Sequence, residues 1–550
     1  MQRWAVRITT IALLAAMPAL PRPASAEDWI YTVRPGDNLW DFAQQHCADS
    51  ACWRRLQEMN NVADPWRMPP GLRLRVPVEL LKAEPAPARV VGFSGEGTIA
   101  PAGTAAGTAA ERPVSEGTLL HAGDTLTLST SGSATLEFAD GSQLLAGPSS
   151  VLRMDTVGAY GGGQAMVDTR LHLEQGRSDA DVKSRPNPSR FAIEAPAAVS
   201  AVRGTSLRVA VANHGETART EVLSGTVEVS AAGGTVQVDE GFGVVTLKGA
   251  QPGAPRVLLP APRLAPLPPA FDRLPFHVRV EPVASAFAYR MEVSSVEAFD
   301  ELLSDIVSED VTLRGPDLRD GQYWVRVRAI DDHGLEGHDT AARIEIDARP
   351  EPPLLMEPIK EGKVREEAPT FRWTAPETAK AYHFQLAKTE ALAAPVVQRD
   401  AHEGVSLKLD QPLSPGLYSW RVATVDAAGE VGPYSDFQSF EYRPAPKGPT
   451  PGPAESDEKS LVFRWRAGEP GQTYQIQFAR DRAFETIVLD QKSSVPEVTV
   501  PRPEPGHYVL RVRTIDADGY EGPFGAAQAV DVEEKYWGLV IRVFKRLRDL

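Results

Sequence analysis

Hydrophobic and polar positions alternate with a period of two along most of this chain, and helical spacing is confined to short segments near its two ends. Near the N-terminus Ile30-Tyr31-Thr32-Val33 predicts a short strand. Pro35-Gly36-Asp37-Asn38 then makes a turn whose Asp and Asn can cap a helix beginning at Leu39-Trp40-Asp41-Phe42-Ala43. A second helix follows from about Trp53 to Asn60, and Pro69-Pro70-Gly71 turns the chain into the alternating strand Leu72-Arg73-Leu74-Arg75-Val76. The order is strand, helix, helix, strand. From about Val90 to Leu259 no helical period survives. Ser133 to Phe138 alternates into an Asp140-Gly141-Ser142 turn, and further strand signals lie at Ser206 to Val211, Thr220 to Leu223 and Thr226 to Val229.

Beyond that point the pattern repeats. Asp320-Gly321-Gln322-Tyr323, Pro415-Gly416-Leu417-Tyr418 and Pro505-Gly506-His507-Tyr508 each open an alternating strand. Each strand ends at an acidic turn, Asp331 to Gly334, Asp426 to Gly429 and Asp516 to Gly519. An earlier strand recurs at Ala288 to Val293, Ala381 to Leu386 and Thr473 to Phe478. The period of roughly ninety residues is that of a whole domain rather than a solenoid unit. Trp373 and Trp465 hold matching places before the second and third copies, and Val280 stands there in the first. At these spacings Tyr and Trp read as core. The acidic turns read as hairpin turns rather than calcium loops, because the later acidic ligand is missing.

Proline and alanine clusters mark the joints: Pro21 to Ala26, Ala83 to Ala88, Ala100 to Arg112, Pro252 to Pro269, Pro350 to Pro353 and Pro444 to Pro453. They divide the chain into a leader at 1–26, a small module at 27–82, a linker at 83–112, a β-rich domain at 113–259, three repeats at 260–349, 350–444 and 445–534, and a tail at 535–550. The fold class is multidomain and mainly β, with a small α+β module in front.

Composition narrows the function. With 47 prolines and 44 glycines among 550 residues, turns and linkers abound and long helices are disfavoured. A net charge of -15 argues against a nucleic-acid surface, which needs a basic face. Arg3 and Arg7, an apolar stretch from Ile8 to Leu20 and the small-x-small site Ala24-Ser25-Ala26 read as a cleavable secretory signal, against the alternative of an uncleaved anchor. Export puts Cys47 and Cys52 in an oxidising compartment, where so close a pair predicts a local disulfide; two free buried thiols are the other reading. The tail, as a helix, sets Tyr536, Val540, Val543, Phe544 and Leu547 opposite Lys535, Arg542, Lys545 and Arg546. That is a pattern for peripheral contact with an anionic membrane face or a partner, or for a terminal element packed on the preceding domain. Gly-x-Ser-x-Gly, phosphate-cradling glycine and His-Glu-x-x-His motifs are absent from the sequence, so it offers no catalytic, metal or cofactor signature.

Three resemblances carry further expectations. Tyr31-Thr32-Val33-Arg34-Pro35-Gly36-Asp37 leading in, and Pro70-Gly71-Leu72-Arg73-Leu74-Arg75-Val76-Pro77 leading out, resemble a LysM domain, with departures at Asn38 and at Cys47 to Trp53. That resemblance implies a shallow groove for N-acetylglucosamine-containing chains, hence peptidoglycan. Its lips would be Gly36, Asp37, Asn38 and Leu39 on one side and Asn61, Pro70, Gly71 and Leu72 on the other. Gly123-Asp124-Thr125, Phe138-Ala139-Asp140-Gly141-Ser142 and Ala201-Val202-Arg203-Gly204-Thr205 resemble the FecR domain, which implies a periplasmic protein-contact or signalling module. The Pro-Gly-x-Tyr turns resemble fibronectin type III domains. Together these imply a non-catalytic envelope protein that binds peptidoglycan and presents its β modules to an unidentified envelope protein. A periplasmic signalling protein with the FecR-like unit as the sensing part is the alternative, and a peptidoglycan hydrolase or its activator is a third reading.

Overall fold

A computed structural model describes residues 28–103, 111–160, 166–184, 189–202, 204–388 and 394–533. The expected secretory signal, the amphipathic tail, the middle of the Ala100 to Arg112 segment and Arg203 lie outside them. Among the described residues no helix is long and apolar enough to cross a membrane. The chain forms two compact units, one reaching Ala348 and one beginning at Arg349.

The first unit opens with β1 (Trp29–Thr32), α1 (Leu39–His46), α2 (Cys52–Asn60) and β2 (Arg73–Val76). β1 and β2 pair antiparallel, Trp29 opposite Val76 and Thr32 opposite Arg73. Alternation sends Leu74 and Val76 inward to meet Leu39, Phe42 and Ala43 of α1 and Leu56 of α2. A disulfide joins Cys47, just after α1, to Cys52, the first residue of α2. For so short a loop this cross-link is worth about 2 kcal/mol.

The described residues within 83–112 pair as strands rather than forming a linker. Ala83–Pro85 pairs with Gly158–Tyr160, Ala88–Ser94 with Ser133–Glu137, and Gly97–Ala100 with Thr125–Leu128. Composition misled here: the alanines and prolines suggest a spacer, but Ala88 and Val90 alternate into the core. Strands between Ala83 and Val257 close into one barrel. The long strand Met166–Asp181 ties it together, pairing at its start with Val151–Tyr160 and at its end with Ser206–Ala212. Tyr160 and Met166 pack into the N-terminal module's core, so module and barrel share side chains.

The proline-rich stretch after the barrel is also bonded rather than free. Leu259, Leu264, Leu267 and Phe271 pack on the core of the first repeat, and Leu259 O accepts from His338 N at 2.9 Å. Barrel and first repeat meet across a buried cluster of charge. Arg177, Asp179, Arg208 and Glu221 come from the barrel; Arg290, Glu292, Asp305, Arg326, Arg328, Glu336 and Asp339 come from the repeat. Arg328 and Glu292 are fully buried and paired with each other. Arg177 pairs with Glu292 and reaches Asp305 at 3.0 Å. Surrounding arginines hold the carboxyl of Asp179 down at about 2 and that of Glu292 well below its ordinary range, against the opposing pull of burial. Glu221 goes the other way. Burial, helped by the neighbouring Glu336 carboxylate, pushes its carboxyl up to about 8.

All three repeats pair the strands expected of a β-sandwich. In the first, Ala288–Ser294 lies between Ser304–Ser308 and Gly321–Ile330. The second and third, which form the other unit, set Ala381–Ala387 against Gly416–Val425 and Thr473–Ala479 against Gly506–Ile515. The recurring glycine-x-tyrosine has a physical cause. Gly321, Gly416 and Gly506 take positive φ, and two residues later Tyr323, Tyr418 and Tyr508 donate their hydroxyls to the carbonyls of Arg319, Ser414 and Glu504, four residues upstream. Each is a tyrosine corner, which locks the entry of a sandwich strand. Val280, Trp373 and Trp465 are all buried at the matching place.

Two outcomes follow for the barrel–repeat contact. A Cβ on Gly92 would lie 2.2 Å from Asp300 O, so Gly92→Ala should lower stability by about 1–3 kcal/mol in chemical denaturation. Because Glu221 binds its proton more tightly folded than unfolded, its contribution is complete below about pH 4.3 and is lost as pH rises through about 8. Unfolding curves should therefore show stability falling across that window, and Glu221→Gln should flatten the slope.

Candidate glycan-binding groove

The two proposed lips lie side by side because β1 and β2 continue to bond past their ends. Val33 N donates to Leu72 O and Gly71 N to Val33 O, both at 2.8 Å. Gly36 and Gly71 sit at φ of 92° and 85°, a region that residues with a Cβ rarely enter, which accounts for glycine at each turn. On the first lip Asn38, not Asp37, caps α1. Its Oδ1 accepts from Asp41 N at 2.9 Å and its Nδ2 donates to Asp41 Oδ2 at 2.7 Å. Asp37 organises the turn instead: its Oδ2 accepts from Arg34 N at 2.7 Å and from the Tyr31 hydroxyl at 2.5 Å. Burial first, then this bond to a carboxylate, pushes the Tyr31 hydroxyl up to about 12.

The remaining residues divide. Leu39 is fully buried, so its side chain belongs to the core and only its N–H looks outward, to Pro65 O at 2.8 Å. Leu72 is half-buried against the same core. Asn61 is the left-handed C-cap of α2, with its N–H returned to the helix. The polar tie between α2 and β2 is its neighbour Asn60, which exchanges two hydrogen bonds with the Arg75 backbone. Pro70 and Gly71 are exposed.

Sequence reasoning missed three tryptophans. Trp66, in the loop after α2, is 61% exposed. The Leu39–Pro65 bond sets that loop against the first turn of α1, where Trp66 meets Trp40 at 6.2 Å between ring centroids. Trp40 in turn meets Trp53 at 6.5 Å. A large apolar ring left in the short polar loop Asp64-Pro65-Trp66-Arg67 was the available signal. Flat rings beside backbone donors and acceptors suit a ligand with apolar ring faces and polar edges.

A family model for the LysM domain matches residues 31–77, and one described as FecR protein matches residues 124–228. The chain carries a LysM domain and a FecR domain. Domains of these two kinds are typically non-catalytic binding and signalling modules of cell-envelope proteins. An uncharacterized protein of Deinococcus radiodurans is 36% identical over 50 residues, 9% of this chain and 20% of that protein, so the chain spans about a fifth of this relative's length. A candidate anti-sigma factor from Parabacteroides distasonis is similar at 13% identity over 24% of this chain and 59% of that one, TM-score 0.21. The FN1–FN3 domains of chicken CNTN1 are similar at 14% identity over 50% of this chain and 99% of theirs, TM-score 0.22. The fibronectin(III)-like modules of Clostridium thermocellum CbhA are similar at 12% identity over 33% and 94%, TM-score 0.21. TM-scores this low carry no argument, and the form of the repeats rests on their own strand pairing.

In the FecR domain the motif residues build turns. Asp124 is buried and accepts from His121 N at 3.0 Å, while Asp140 accepts from Ser142 N at 2.9 Å and Ser142 Oγ from Lys183 N at 3.0 Å. For the LysM domain, Asp37→Ala leaves the Arg34 amide and the Tyr31 hydroxyl without their acceptor. It should cost about 1–3 kcal/mol in thermal unfolding. It should also bring Tyr31 titration, followed by ultraviolet difference spectra, below about 12 yet leave it above the ordinary value, because burial persists.

Proposed function

We propose that this is a non-catalytic protein of the periplasm or secreted cell envelope. In this reading its LysM domain holds the N-acetylglucosamine-containing glycan of peptidoglycan, and its FecR domain and fibronectin-like repeats face a protein partner. The observation that carries the reading is the pair of lips, Gly36–Asn38 and Pro70–Gly71, flanking the Val33–Leu72 and Gly71–Val33 hydrogen bonds, together with the exposed ring of Trp66. Lip backbone and Asn38 can bond acetamido and hydroxyl groups while Trp66 and Trp40 cover a sugar face. A single shallow groove binds weakly, so retention on a wall with many repeated sites depends on avidity.

A regulatory role for the FecR domain is the second reading. The shared core at Tyr160 and Met166 favours it, because a LysM domain so joined reports directly to the barrel.

That shared core makes deletion of the module a poor test, since it would strip cover from the barrel. Point variants are cleaner. Trp66→Ala changes an exposed ring, so the fold should stand, and retention on insoluble peptidoglycan should fall roughly tenfold, the value of losing about 1.4 kcal/mol. Retention equal to the unaltered protein in both Trp66→Ala and Asn38→Ala would sink the proposal. Clearing in a peptidoglycan zymogram would restore the hydrolase reading.

A further inference from the structure

We infer that the FecR barrel carries a binding site for a first-row divalent cation such as Zn2+, formed by Asp155, His172 and Glu194. The three residues come from three adjacent strands, Val151–Tyr160, Met166–Asp181 and Arg190–Ala195. His172 stands opposite Glu194 in the parallel register of the second and third strands, and Arg153 stands opposite His172 in the first. Opposed side chains on neighbouring strands lie close enough for their tips to converge. One ligand atom from each residue lies within 4.8 Å of the others, and His172 Nδ1 is 3.8 Å from Glu194 Oε2. Modest side-chain movement would bring all three to a shared ion at bonding distances of about 2.0–2.2 Å.

A backbone irregularity sharpens this convergence. Met154 pairs with Leu171 and Thr156 with Arg170, which leaves Asp155 as the extra residue of a β-bulge. Bulges re-aim a side chain, and here the re-aimed group is a carboxylate facing an imidazole. Arg153 steadies it: its Nε donates to Asp155 Oδ1 at 2.7 Å and its Nη1 to Glu174 Oε1 at 2.8 Å. One oxygen of Asp155 is thereby held while the other stays available, the arrangement by which outer groups orient a metal ligand. Among the described residues no hydrogen bond reaches the His172 ring, and its one charged contact is Glu194.

Charge balance favours a cation. On this face Arg153, Arg170 and Arg190 stand against Asp155, Asp168, Glu174 and Glu194, three positive groups to four negative, a surplus of one negative charge. One imidazole nitrogen with two carboxylate oxygens suits zinc, iron or manganese better than calcium or magnesium, which take oxygen donors. Three protein ligands also leave coordination positions for water or for a donor from another molecule. Asp155 is exposed, and His172 and Glu194 are half-buried, so the site is open to solvent and to a partner.

The test titrates the full chain, stripped with chelator, with Co2+ followed by visible absorption and with Zn2+ followed by calorimetry. One equivalent should bind, and Asp155→Asn, His172→Gln and Glu194→Gln should each weaken it at least about tenfold. His507→Gln should leave it unchanged; His507 and Asp531 form an exposed pair elsewhere in the chain. Circular dichroism confirms that each variant is folded. A measurement without variants stands beside these: Zn2+ should protect His172 from diethyl pyrocarbonate, read by peptide mass spectrometry. Absence of binding, binding that survives His172→Gln, or unprotected modification of His172 in the presence of Zn2+ would overturn the inference.

Discussion

The first unit depends on one constraint: buried charges must be paired. Five arginines and six carboxylates meet between the FecR barrel and the first repeat. Taking such groups out of water costs several kcal/mol each, and only close pairing offsets the cost. Strand register supplies the pairing. Asp179 stands opposite Arg208 on the barrel, and Glu292 opposite Arg326 on the repeat. An apolar contact could slide by a residue and keep most of its stability. This one cannot, because a slip would part Asp179 from Arg208 and leave buried charges without their partners. The cluster therefore contributes orientation more than stability. The sixth carboxylate, Glu221, has no arginine of its own, and its raised pKa is the consequence.

The other repeats show the same scaffold put to different uses. In the first two acidic turns the leading aspartate caps its own loop: Asp331 Oδ1 accepts from His333 N and Leu335 N, and Asp426 Oδ1 from Ala428 N and Glu430 N. In the third, Asp516 turns outward to Arg365 and Gln472, and Asp518 takes Lys363 and Arg365. The turn survives because backbone bonds and Gly519 at positive φ suffice to close it. Freed carboxylates then serve as contacts between the second and third repeats.

Local features were legible in the sequence and distant ones were not. The order of strand and helix in the LysM domain followed from periodicity, and the tyrosine corners announced themselves as Gly-x-Tyr. The charge cluster was invisible because its members are far apart in the chain: Arg177 and Glu292 are separated by 115 residues. The described part of residues 83–112 was misread because composition spoke louder than the weak alternation at Ala88 and Val90. On the groove, motif position placed both lips but could not separate Leu39, which faces inward, from Asn38, which faces out. Trp66 lay in a loop where pattern has no period to break.

Ala83–Pro85, the strand that replaces the expected linker, has a mechanical consequence. It leaves the LysM domain and at once pairs with Gly158–Tyr160 of the barrel, while Tyr160 reaches back into the LysM core. A tether of loose coil would absorb a displacement of the wall as slack. Under the proposed function, a tug on bound glycan would pass directly to a strand of the FecR barrel, so the LysM domain would act as a lever as much as an anchor.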